Sequence, residues 1–314
     1  MKKKLIILTG PTAVGKTKLS IALAKAINGA IISADSMQVY KYMDIGSAKI
    51  TPEEMDEVKH YLVDCLEPND PESFNVTRFQ QMAKAAMEEI YAEGKVPILV
   101  GGTGFYIQSV VYDIDFTEND ADTSYRNMLE KMAEEKGAEY LHDMLKIVDS
   151  KAAEEIHCNN VKRVIRALEF FHQTGTQISA HNDAERQKNS PYEFYYFVLN
   201  DDRAKLYERI DMRVDMMIEA GLVAEVEKLL KMGCSREMVS MQGLGYKEII
   251  DYLQGDITLE EAVYMIKRDT RHFAKRQLTW FRRERDVRWV NKSDFHSEEE
   301  ILEYMLKQME EQEE

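Results

Sequence analysis

Cysteine is scarce in this chain, and what there is lies scattered. Cys65, Cys158 and Cys234 stand alone, with no C-x-x-C pair. Neither a disulfide framework nor a zinc site is expected, and the thiols read as reduced residues of a cytoplasmic protein. Long apolar runs are also missing. The opening MKKKLIILTG resembles the start of a signal peptide, but its apolar run covers only residues 5–8, short of the roughly 7–15 residues of a signal h-region. No stretch approaches the ~18 apolar residues of a membrane span. The reading is therefore no membrane and a cytoplasmic location. Basic residues are outnumbered, 41 Lys and Arg against 56 Asp and Glu, for a net charge of −15. That excludes a protein coated in positive surface but leaves room for a local basic patch. Proline is absent between residues 113 and 175, and so is β-branched alternation; that stretch reads as all-helical.

The remainder, 314 residues at 44% hydrophobic, suffices for one large α/β domain and a second, smaller unit. Residues 4–9 form a short apolar run, followed by Gly10, Pro11, Thr12, Ala13, Val14, Gly15, Lys16 and Thr17, the pattern G-x-x-x-x-G-K-[ST]. Leu19, Leu23 and Ile27 then repeat at helical spacing. A strand, this loop and a helix together make a phosphate cradle. Backbone N–H groups and the helix N-terminus face an anion, Lys16 adds a charge, and Thr17 is placed to ligate Mg²⁺. GAIISAD (29–35), HYLVDCL (60–66) and VPILVGGTG (96–104) read as further strands, alternating with helices. This predicts a P-loop NTPase-like α/β fold, a doubly wound parallel sheet. Ligands of such sheets sit beyond the carboxyl ends of the strands, so Gly10, Asp35 and Gly101–Gly104 are expected to meet. The expected division is an α/β core of residues 1–114 plus 191–314 and a helical insertion domain of residues 115–190. Glu193–Asn200 reads as a returning strand, with helical stretches around 202–232 and 258–284. From Glu298 the tail carries eight acids and one base and reads as a solvated, partly helical end.

Chemistry is less settled by the residues alone. A P-loop asks for a nucleoside triphosphate by default, yet no clear Walker-B acid ends an apolar strand; Asp64 and Asp35 are both candidates. ATP binding is permitted and not demanded. Asp35 could ligate metal, cap the next helix or act as a base, and Thr103 could donate to a ligand oxygen or cap its helix. Between Lys267 and Arg288 stand nine Lys or Arg and three acids, with Trp280 and Phe281 among them. Such a helix suits phosphate contacts and base stacking, or it is a solvated helix with its aromatic face in the core. A smaller cluster holds Lys162, Arg163 and Arg166.

Six blocks complete the pattern: GPTAVGKT, ISADSMQVY, GGTGFY, VIRALE, GLGYKE and KRQLTWFR. In this order, over residues 7 to about 285, they resemble the tRNA dimethylallyltransferases. The resemblance implies transfer of a dimethylallyl group from dimethylallyl diphosphate to N6 of the adenosine 3′ of the anticodon, with Mg²⁺. It implies a monomer that grips the tRNA anticodon stem-loop. On this reading Gly10–Thr17 hold the diphosphate, with Thr17 on the metal. Asp35 is the general base, and Thr103 hydrogen-bonds near the leaving group. Asp35, Ser36, Met37, Gln38 and Thr103 touch the target adenosine. Arg126, Asn159, Asn160, Val161, Lys162, Arg163, Lys275, Arg276, Gln277, Trp280 and Arg282 match segments that contact tRNA. Val161 stands where the family usually has proline, and the zinc finger of eukaryotic members has no counterpart. The rival readings are an adenylate prenyltransferase and a small-molecule P-loop kinase.

Overall fold

The computed structural model describes residues 2–116 and 124–311; residues 117–123 of the expected insertion lie outside it. Six strands are present among the described residues: β1 (Lys3–Thr9), β2 (Gly29–Ala34), β3 (His60–Tyr61), β4 (Val96–Gly101), β5 (Tyr192–Asn200) and β6 (Val287–Asn291). They form one parallel sheet in the order β3-β2-β4-β1-β5-β6. Leu5–Leu8 and Tyr195–Leu199 are fully buried runs, as expected of strands covered by helices on both faces. The doubly wound fold read from the sequence is the observed one.

Register positions the site. Thr9 pairs with Gly101, and Gly101 pairs in turn with Ala34. The carboxyl ends of β1, β4 and β2 therefore stop level, and the residues that follow each strand emerge side by side. Thr9 reinforces this by donating its hydroxyl to the Gly101 carbonyl at 2.6 Å.

Two compact units are present, Met1–Val111 with Pro191–Glu314, and Tyr112–Ser190. The second is helical: Ser124–Lys136, Ala138–Val148, Ser150–Glu155, Val161–Thr174 and Ile178–Gln187. Its own core contains Leu129, Leu141, Leu145, Val164 and Leu168.

Several local expectations are corrected. The strand expected over 60–66 ends at Tyr61, because Leu62 (φ 61°) and Asp64 (φ 53°) turn left-handed. The stretch 202–232 is two helices, Arg203–Glu219 and Leu222–Lys231, parted by Gly221 at φ 102°. Strand β6 and the helix Tyr246–Gln254 were not anticipated. Nor is the acidic tail merely solvated. Ser297 caps the helix Glu298–Glu310, and Ile301, Met305 and Met309 enter the same core as Leu19, Leu23 and Tyr195. Its apolar residues recur at i, i+4 and i+8, an inward stripe on an otherwise acidic helix. Met305→Ala should therefore cost about 2–5 kcal/mol of stability, while exposed Glu303→Ala stays within ~0.5 kcal/mol. Urea denaturation of both variants checks this, and a Met305 cost as small as the Glu303 one would return the tail to the surface.

Candidate active site

The loop after β1 is held from three sides. Ala13 sits at φ 61°, and its carbonyl accepts from Arg209 Nε at 3.0 Å, while Arg209 also pairs with Asp201 at 2.7 Å. The Thr12 N–H donates to Gln277 Oε1 at 2.9 Å. Lys16, opening the helix Lys16–Ala26, folds back over the loop and donates to the carbonyls of Gly10 (3.0 Å) and Pro11 (2.8 Å). Desolvation pulls its ammonium down to about 8, helped by the Arg213 guanidinium and opposed by Asp35. Arg213, on the helix Arg203–Glu219, is lowered by the same desolvation, again with Asp35 opposing. Its guanidinium makes no hydrogen bond or ion pair among the described residues. Two half-buried cations thus share the site with one half-buried carboxylate, an arrangement that favours an added anion.

Asp35 follows β2. One carboxylate oxygen, Oδ1, accepts from the backbone N–H groups of Met37 (2.8 Å) and Gln38 (3.3 Å), which fixes the side chain's direction. The other has no hydrogen bond among the described residues. Gln38 is fully engaged: its Oε1 accepts from the Ser33 hydroxyl, and its amide N–H groups donate to Ser47 and Ala48 carbonyls. The Gln38 side chain therefore shapes the loop behind Ser36 and Met37. Asp64, the other acid considered for the metal, pairs with the buried Lys49, as Asp44 does. It does not line the cavity.

Thr103 follows β4. Its backbone N–H reaches the Ala34 carbonyl at 3.3 Å, and the helix Gly104–Val111 starts at the next residue. Thr12, Asp35, Thr103, Arg213 and Gln277 all line one cavity of about 420 Å³. Much of the remaining wall is apolar, with Phe74, Tyr106, Val214, Met217 and Phe273. Phe74 and Tyr106 meet edge to face at 5.7 Å, and Tyr106 stacks on Phe79 at 4.5 Å, so this wall is stiff.

Arg213 and the apolar wall escaped the sequence reading. Arg213 had a signal: it falls on the inward stripe of its helix, between Ile210, Val214 and Met217, where a charge needs a reason. The wall had none, since its residues come from four separate segments.

The helix Leu259–Phe281 carries a second feature. His272, Lys275, Arg276, Thr279, Trp280 and Arg283 line an open groove of about 430 Å³, and Arg276 also lines the cavity. Trp280 packs over the turn after β4. A Cβ on Gly104 would come within 2.2 Å of its ring, and Phe105 meets it edge on at 6.1 Å. Arg282 is exposed at the end of the helix, and Gln277 is buried.

The helical unit places its expected residues by itself. Arg126 grips buried Glu169 with two bonds of 2.8 and 2.7 Å. Asn159 and Asn160 precede the helix Val161–Thr174, and Lys162 and Arg163 are exposed in its first turn. Neither makes an ion pair among the described residues. Val161 occupies the first helical position, where proline's missing N–H costs nothing; valine preserves the helix start.

Comparison with known proteins is consistent across sequence and structure. The family model described as IPP transferase matches residues 38–284. The tRNA dimethylallyltransferase of Lachnoclostridium phytofermentans is 64% identical over 309 residues, covering 98% of each chain. That of Acetivibrio thermocellus is 52% identical over 297 residues, 95% of this chain and 94% of its own. The solved full-length tRNA isopentenylpyrophosphate transferase of Bacillus halodurans aligns with a TM-score of 0.74 at 46% identity, covering 99% of this chain and 98% of its own. A eukaryotic dimethylallyltransferase captured acting on tRNA aligns with a TM-score of 0.79 at 29% identity, over 92% of this chain and 74% of its own.

The Lys16 titration gives a test of the cradle. Its ammonium is depressed to about 8, so the free protein loses that charge as pH rises through 8, and a bound anion restores it. Binding inorganic pyrophosphate near pH 8.5 should therefore take up a proton, read as a buffer-dependent enthalpy in calorimetry. Uptake should be smaller in Lys16→Met by the lysine's share, since pyrophosphate's own proton exchange is common to both proteins and cancels in the difference. Equal uptake in both proteins would place the anion elsewhere.

Proposed function

The chain belongs to the IPP transferase family, and from that premise we propose that it transfers a dimethylallyl group from dimethylallyl diphosphate to N6 of the adenosine 3′ of the anticodon in tRNA. The products are N6-isopentenyladenosine and diphosphate. The observation that carries this is the single cavity on which the Thr12–Ala13 edge of the phosphate loop, a fixed carboxylate and an apolar wall converge.

Each part has a physical task. The allylic C1–O bond breaks with carbocation character, and negative charge builds on the departing diphosphate. Loop N–H groups, Lys16 and Arg213 lie ready for that charge, which is where preorganised electrostatics contribute most. The adenine amine is a weak nucleophile because its lone pair is delocalised into the ring. As N6 bonds to C1, Asp35 accepts the N6 proton, with its orientation set by the Met37 and Gln38 N–H groups. Thr103 stands where its hydroxyl can donate to an oxygen of the leaving group. Phe74, Tyr106 and Phe273 flank the prenyl chain and exclude water, which would otherwise capture the cation. The adenosine must leave its stack to reach this depth, which costs little in a loop.

Mg²⁺ fits the residues present. Among the described residues no group of three or more His, Cys, Asp or Glu could hold a metal. A hard cation here would therefore rest on ligand phosphates and a protein hydroxyl, which suits Mg²⁺. Thr17 is exposed at the helix start, and its hydroxyl has no partner among the described residues. When bound, the ion supplies charge neutralisation at the diphosphate.

The groove of the helix Leu259–Phe281 favours tRNA over a free adenylate, because a single phosphate cannot engage Lys275, Arg276 and Arg283 along the groove together, as a run of backbone phosphates can. Lys162, Arg163 and Arg126 extend the RNA contacts on the helical unit. No described helix is long and apolar enough to cross a membrane, and we assign the activity to a cytoplasmic monomer.

Two measurements test this reading. Asp35→Ala should lower single-turnover transfer of labelled dimethylallyl to unmodified tRNA by roughly 10²–10⁴-fold, with tRNA affinity retained; near-normal turnover would remove Asp35 as base, and label on AMP alone would select the adenylate enzyme. Lys275→Ala and Arg282→Ala should each weaken tRNA binding and lower its salt slope by about one. An unchanged slope would make that helix structural.

A further inference from the structure

Gln277 is the one polar side chain of the helix Leu259–Phe281 that is fully buried, and it lies between the two loops of the site. Its Oε1 accepts the Thr12 N–H at 2.9 Å. Its Nε2 donates to the Gly102 carbonyl at 3.0 Å. One amide thus joins the loop after β1 to the turn after β4, using acceptor and donor in the orientation that only a carboxamide supplies. The Thr12 N–H is thereby withheld from any ligand, and the Gly102 peptide is fixed immediately before Thr103.

A second observation comes from Gly102 itself. Its backbone is outside the left-handed region, so any residue could adopt it. Yet a Cβ there would lie 2.1 Å from Gln277 Nε2 and 3.3 Å from its Cδ, with the next atom, the Gly10 carbonyl oxygen, at 3.6 Å. An added Cβ at 102 would therefore displace the Gln277 amide and little else. A side chain that reserves space in a neighbouring loop and satisfies groups on two loops has a role beyond filling the core.

We propose that Gln277 is a positioning residue for the transfer reaction. It does not contact tRNA; it sets the spacing between the phosphate cradle and Thr103, so that both address the same diphosphate. This rests on the prenyl transfer inferred above, and the two can fail separately. Absence of transfer by the wild-type protein would sink the reaction, whereas the tests below compare variants with an active wild type or read pyrophosphate binding alone.

The expected pattern is as follows. Gln277→Ala weakens binding of inorganic pyrophosphate in the absence of RNA and lowers kcat by roughly tenfold to a hundredfold, the scale of a slight misplacement of reacting groups. Its Kd for the anticodon stem-loop stays within about twofold. Gly102→Ala has the same phenotype, because it evicts the amide. The double variant Gln277→Ala with Gly102→Ala is no worse than the poorer single one, since the space for the new methyl has been vacated. Gln277→Glu keeps the volume and folds even where alanine leaves a void. Its carboxyl must be protonated to donate to the Gly102 carbonyl, so kcat relative to wild type rises as pH falls. Lys16, Asp35, Arg213 and Arg276 titrate or bear charge in both proteins, and their contributions largely cancel in that ratio. Multiplicative losses in the double variant, a pH-independent Gln277→Glu ratio, or a loss of RNA affinity with pyrophosphate binding intact would each overturn the proposal.

Discussion

Positive charge without a resident partner governs the interior of this site. Burial disfavours the charge of both Lys16 and Arg213, Arg213 adds to that effect at Lys16, and Asp35 is the one carboxylate opposing it at both. Desolvated cations are costly unless something offsets them. Lys16 lessens the cost by donating to the Gly10 and Pro11 carbonyls, which are weak substitutes for phosphate oxygens. Arg213 has no such substitute. The free protein therefore holds an electrostatic deficit that a bound anion would offset. The loop that carries Lys16 is restrained as well, by Arg209 on the Ala13 carbonyl and by Gln277 on the Thr12 N–H.

Restraint of that kind needs a rigid frame, and the parallel sheet supplies it. With Thr9, Gly101 and Ala34 in register, the cradle, Thr103 and Asp35 begin within one residue of a common level. A slip in register would move one of them away by a residue's rise, more than transition-state geometry tolerates. The hydroxyl bond from Thr9 to Gly101 joins the strand ends at that register, and the amide bridge of Gln277 joins the two loops just beyond them.

What could be read from sequence follows from how local each feature is. The cradle, Asp35 and the GGTG turn were legible because each is a contiguous pattern attached to the end of an apolar strand. The helical character of 124–187 was legible from composition. Other features depend on groups far apart in the chain. Leu62 and Asp64 end β3 early because of backbone turns, and Lys49, fifteen residues from Asp64, holds that acid in place. The C-terminal helix reads as acidic on composition, and only its inward stripe shows that it belongs to the core. Gln277 lies within a basic, aromatic block and reads as a nucleic-acid contact; its burial is set by which way the helix rolls, and Gly102, 175 positions away, is what reveals its task.

The restricted basic surface has a consequence for recognition. A chain with net charge −15 repels a polyanion over most of its surface, within the screening length of about 8–10 Å. Exposed cations without an ion pair among the described residues stand together at the groove around Lys275, Arg276 and Arg283, at neighbouring Arg282, and at the helix start with Lys162 and Arg163. Non-specific binding scales with the number of phosphates neutralised wherever the RNA lands, so a small footprint on an acidic protein keeps that background low. Affinity must then come from RNA whose backbone meets those few cations while one base is free to enter the cavity. A stacked duplex satisfies the first condition and not the second, whereas a hairpin loop satisfies both. On the proposed function, the same charge distribution that limits RNA binding favours the kind of RNA whose base can enter the cavity beside Asp35.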